Sequence, residues 1–124
     1  MKTKKVLILI LSILSTEIMA QGIPKDKFLS AAEIGFPVKF CNPQTPFRQC
    51  FTLTPQECEE TVSSATRVCI KKLNNQIPAF IQSREDAGKI GKDIGECTGQ
   101  AFAMTHYQKR IKSEQCNKMF NLQR

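Results

Sequence analysis

Six cysteines, Cys41, Cys50, Cys58, Cys69, Cys97 and Cys116, are the residues whose number and type first demand a chemistry. Thiols oxidise in pairs or bind metal. Structural zinc sites draw on close pairs such as C-x-x-C, and this sequence has none. An even cysteine count in a short chain points instead to a disulfide framework. Catalysis has less to work with. The chain carries one histidine, His106, followed by Tyr107. No second histidine can complete a zinc site with it. No G-x-S-x-G, H-E-x-x-H or glycine-rich phosphate loop occurs. Ser63-Ser64 falls inside a helical pattern, away from any identifiable base. Glu57, Glu59 and Glu60 could be taken for paired carboxylates, but a first helical turn explains them better. A lone histidine reads as a surface or interface side chain. We therefore expect no catalytic residue, no metal and no cofactor. An enzyme using His106 is the least favoured alternative.

The compartment follows from residues 1–20. Lys2, Lys4 and Lys5 precede an apolar run, and Ile18-Met19-Ala20 makes a plausible cleavage site, so the segment reads as a secretory signal peptide. The run is short for a membrane span. Cleavage near Ala20 would place residues 21–124, as one domain, in the periplasm or outside the cell. The chain has 18 basic and 11 acidic side chains, a formal charge of +7. Removing Lys2, Lys4, Lys5 and Glu17 leaves 15 and 10, a net of +5. That favours anionic partners without requiring them.

The elements that position the cysteines read as helices. Residues 54–75 carry the strongest signal. Thr54 is a candidate N-cap, Pro55 suits the first helical position and Glu57 completes a capping box. Cys58, Val62, Ala65, Cys69 and Leu73 then form one apolar face. A second helix is expected over 84–111, capped by Ser83, with Ile90, Ile94, Cys97, Ala101, Met104 and Ile111 as its stripe. Gly91, Gly95 and Gly99 share a side of that helix. They would let another backbone approach closely, or serve a homodimer. A short helix is expected after Pro24, an irregular extended segment over 35–53, and one turn capped by Ser113 that carries Cys116. The fold class is thus all-α: a small disulfide-stapled domain built on an antiparallel helix pair, with a Pro/Phe-rich segment packed over it.

A short connector makes the two long helices antiparallel neighbours. Setting Asn74 level with Arg84 brings Cys58 nearest Cys97. Cys50 then pairs with Cys116 and Cys41 with Cys69, one of fifteen possible connectivities.

Phe36, Phe40, Phe47 and Phe51 have two possible fates. The simpler is to cover the helices and complete the core. The other is an exposed aromatic binding surface formed by Phe36, Phe40 and Phe47. The closely spaced cysteines of saposin-like, odorant-binding and plant lipid-transfer proteins are absent, so none of those families is indicated. Nucleic acid is not an expected partner, because Lys109, Arg110 and Lys112 face Glu57, Glu59 and Glu60 in the helix pair. The reading is a small exported binding protein, not an enzyme, and an inhibitor or immunity-type partner of another exported protein would fit it. The main rival is a cationic protein that contacts an anionic envelope surface, with binding that falls steeply as salt rises.

Overall fold

The computed structural model describes residues 22–121, with side chains through residue 119. The expected signal peptide lies outside the described residues. The elements run β1 (Ile23–Pro24), α1 (Lys25–Phe40), α2 (Pro46–Gln49), α3 (Pro55–Leu73), β2 (Phe80–Ile81), α4 (Arg84–Thr105) and α5 (Glu114–Asn121). Single 3-10 turns at Asn74–Gln76 and Tyr107–Lys109 follow α3 and α4. The domain is helical, with one two-stranded antiparallel ribbon of β1 and β2.

The central helix α3 starts as its sequence dictates. The backbone N–H of Glu57 donates to Thr54 Oγ1 at 3.1 Å, and the Thr54 N–H donates to Glu57 Oε2 at 2.8 Å. Its buried face is Cys58, Val62, Ala65, Thr66, Cys69 and Ile70. The buried Thr66 hydroxyl is satisfied by the Val62 carbonyl at 2.7 Å.

Helices α1 and α4 flank α3, and both run antiparallel to it. On one side Lys25 Nζ reaches the Asn74 carbonyl, and Cys41 is bonded to Cys58. On the other, Glu57 meets Lys109, Thr61 meets His106 and Cys69 is bonded to Cys97. Two helices antiparallel to a third are parallel to each other, and this sets up the groove described below.

Three disulfides lock the arrangement: Cys41–Cys58, Cys50–Cys116 and Cys69–Cys97, with Cα separations of 5.9, 5.5 and 5.8 Å. Cys50–Cys116 is the expected pair. Cys58–Cys97 and Cys41–Cys69 are not formed, and the register explains why. Residues 74–83 are not a tight turn. The 3-10 turn and β2 give the connector a height of its own, and β1 holds β2 in place. Ile90 and Ile94 of α4 therefore sit beside Leu73 and Ile77, at the connector. Cys69, expected near residue 89, meets Cys97 instead, a displacement of roughly 12 Å at 1.5 Å per residue. Cys58 is then left for the end of α1.

Helix α1 departs most from expectation. It spans 16 residues and passes through Pro37, covering the first part of the segment expected to be irregular. Proline in a helix interior removes a donor and crowds the preceding turn. Pro37 is tolerated near the C-terminal end, where it is buried and its carbonyl accepts the Cys41 N–H at 3.1 Å. The turn after it is held by Thr45, whose hydroxyl donates to the carbonyls of Phe40 and Asn42. Pro46 then opens α2 at its first turn.

Helix α4 is capped by Ser83, which accepts the Asp86 N–H at 3.0 Å. It ends at Thr105 rather than at residue 111. Beyond it the chain pairs with residues 50–52: the Thr52 N–H donates to the Lys109 carbonyl, and the Ile111 N–H to the Cys50 carbonyl. The buried line of α4 is Ile94, Thr98 and Phe102, whereas Met104 is 81% exposed. The inward face is rotated from the stripe read from the sequence.

Candidate functional site

The aromatic residues form a continuous chain. Ring centroids lie 5.6 Å apart for Phe36–Phe40, 4.8 Å for Phe40–Phe47 and 5.1 Å for Phe47–Phe102. Phe102 is fully buried and also meets Phe51 edge-on at 5.1 Å. Edge-on and tilted contacts suit the ring quadrupoles. The two possible fates of the phenylalanines are therefore divided between them. Phe51 and Phe102 are core. Phe36, Phe40 and Phe47 are half-buried: each packs on the core with part of its ring and turns the rest to a surface groove.

That groove lies between α1 and α4, where the flanking helices part. Phe36, Lys39 and Phe40 of α1 form one wall, with Thr45, Pro46 and Phe47 at its end. Gly88, Gly91, Lys92 and Gly95 of α4 form the other. The volume is about 560 Å³, within the range of roughly 300–1,000 Å³ common to small-molecule sites. A Cβ added at Gly88 or Gly91 would meet nothing within 4 Å. At Gly95 it would lie 3.8 Å from Phe40 Cζ, and at Gly99 3.4 Å from Phe47 Cζ. The glycines thus face aromatic side chains and an open trough. What an added Cβ meets at Gly95 and Gly99 is a phenylalanine ring, not the close backbone that their spacing suggests. The lysines at the groove were also missed. Lys39 and Lys92 carry no motif, and only the fold places both on the lining of one groove.

His106 occupies a separate place. Its Nε2 lies 2.7 Å from Thr61 Oγ1, and its ring sits 5.0 Å from that of Phe102. Burial, and to a lesser degree the nearby Lys109, hold its pKa below the ordinary 6.5, against a smaller opposing pull from Glu57. Glu57 itself sits below its ordinary value, chiefly because the Thr54 N–H donates to it, with Lys109 adding to the effect. A hydroxyl beside an imidazole is the start of a nucleophile–base pair, and such pairs need a third group to orient the base. No described residue hydrogen-bonds Nδ1. Among the described residues no cluster of His, Cys, Asp or Glu could hold a metal ion, and no helix is long and apolar enough to cross a membrane.

Fold and groove together define a small, disulfide-stapled helical protein with an aromatic cleft open to solvent. Residues 22–110 match the family described as "T2SS substrate NttA", and the chain belongs to that family. It is thus a small secreted protein, exported from the cytoplasm by way of the periplasm. No curated protein and no solved structure matches it significantly.

Proposed function

We propose that this secreted protein acts by binding, and that its working surface is the groove between α1 and α4. The observation that carries this reading is the half-buried set Phe36, Phe40 and Phe47, turned toward about 560 Å³ of open space. Apolar surface left beside a glycine wall costs stability unless something uses it. A compact chain could have closed the trough with ordinary side chains at Gly88 and Gly91, where space is available. The alternative of an enzyme would rest on Thr61 and His106, but that pair is better accounted for as a tie between α3 and the end of α4. An inhibitor or immunity-type role is compatible if the partner places an apolar segment in the groove.

The test uses a neutral fluorophore that brightens in apolar surroundings, such as Nile red. The oxidised protein should enhance its emission, and Gly91→Leu, which fills the trough, should abolish the enhancement while circular dichroism stays helical. Equal enhancement by both proteins would remove the groove as the working surface.

A further inference from the structure

We propose that the groove takes a free long-chain fatty acid, with the acyl chain against Phe36, Phe40 and Phe47 and the carboxylate held at the rim by Lys39 or Lys92. The inference rests on the reading of the groove as a binding surface and adds the chemistry of the ligand.

Three features point to that class. The interior is apolar and aromatic on one side and bare helix on the other. An unbranched chain needs such a surface, since it offers no hydrogen-bonding group along its length. The charged side chains lining the groove are Lys39 and Lys92, both cationic and both solvent-exposed, and no carboxylate lines it. Lysine lays its methylene stem along apolar surface and keeps its ammonium in water, which suits a ligand with an apolar tail and an anionic end. Neither ammonium is committed to a strong internal pair. Lys92 Nζ is 3.8 Å from Glu96 Oε1, with both side chains mostly exposed, and Lys39 has no ion-pair partner among the described residues. The third feature is size. The trough suits one acyl chain rather than a two-chain lipid, and its boundary at Gly88 and Gly91 offers no side chain to divide it.

The experiment is displacement of Nile red from the oxidised secreted protein by oleate, kept below its critical micelle concentration. Oleate should displace the dye, and methyl oleate should do so at least ten-fold less well. The double variant Lys39→Gln/Lys92→Gln should still bind Nile red, and its oleate affinity, referred to its own dye affinity, should fall at least ten-fold. Gly91→Leu should bind neither. If the dye binds and oleate fails to displace it, the fatty-acid assignment falls while the groove remains a binding surface. If the wild type binds no dye, both fall together. Equal displacement by oleate and its methyl ester, or an unchanged affinity in the lysine double variant, would overturn the role of the lysines. Sedimentation with phosphatidylglycerol vesicles that Gly91→Leu abolishes, in a protein that ignores free oleate, would assign the groove to a membrane lipid instead.

Discussion

Thr61 Oγ1 and His106 Nε2 lie 2.7 Å apart and join the second turn of α3 to the residue that ends α4. The contact bridges two elements far apart in sequence and sits against the buried ring of Phe102. The sequence alone makes His106 a surface or interface side chain whose loss should leave folding nearly unchanged. Its half-buried place in the structure gives it a structural role. His106→Ala should therefore lower stability by about 1 kcal/mol, the usual net worth of one hydrogen bond, and leave Nile red binding at the groove unchanged. Chemical denaturation and dye titration of the same variant check both halves.

The same residue sets a pH dependence. His106 has its pKa held below 6.5 in the folded protein. Between that lowered value and 6.5 the unfolded chain binds more protons, so stability rises with pH. The contribution is fully present above 6.5 and is lost as pH falls through the folded value. Glu57 is also held below its ordinary 4.5, so its contribution persists to lower pH and is lost beneath 4.5. Two acid limbs should result. His106→Ala should flatten the upper one and Glu57→Gln the lower, in melting curves recorded from pH 8 to pH 3.

The disulfides differ in the loops they close. Cys50–Cys116 spans 66 residues, Cys69–Cys97 spans 28 and Cys41–Cys58 spans 17. Chain-entropy arguments give roughly 4 kcal/mol for the longest loop and roughly 3 kcal/mol for the shortest. Replacing Cys50 and Cys116 together by serine should accordingly destabilise more than replacing Cys41 and Cys58. Peptide mapping of the unreduced protein should recover the same three pairs, and denaturation of the two double variants should return that order.

What could be read in advance was local. The Thr54–Pro55–Glu57 start of α3 and the Ser83 cap of α4 each depend on a few neighbouring residues, and both are present as expected. The helix register was not legible, because it depends on β2 pairing with β1, and two-residue strands have no periodicity to recognise. The course of α1 was hidden for a different reason. Gly35 and Pro37 both argue against a helix, and contact with α3 together with the Cys41–Cys58 bond outweighs them. The aromatic surface was half legible. Phe36, Phe40 and Phe47 stood out by type, but the opposing wall is made of glycines, whose open space becomes visible only once α1 and α4 are placed.

Gly22 and Gly91 make the last prediction, because the same substitution should act in opposite directions. Gly22 has φ +78°, a left-handed conformation, and a Cβ there would fall 2.5 Å from the Ile81 carbonyl oxygen. Backbone so placed next to a paired strand cannot give way cheaply. Gly22→Ala should therefore break the β1–β2 ribbon locally and lower the melting temperature, by strain and clash together. Gly91 is mid-helix, and a Cβ there meets nothing within 4 Å. Alanine at that position removes backbone freedom from the unfolded chain and should stabilise by roughly 1 kcal/mol or less. In a domain of this size that is a rise of up to about 8 °C. Gly99 calibrates the pair, since its added Cβ would sit 3.4 Å from Phe47 Cζ. Gly99→Ala should gain less than Gly91→Ala, and Gly99→Leu should lose stability, overpacking typically costing about 1–3 kcal/mol. Thermal melts of the four variants under oxidising conditions decide the matter. A destabilised Gly91→Ala would mean that the trough beside α4 is filled, and the groove would then need another account.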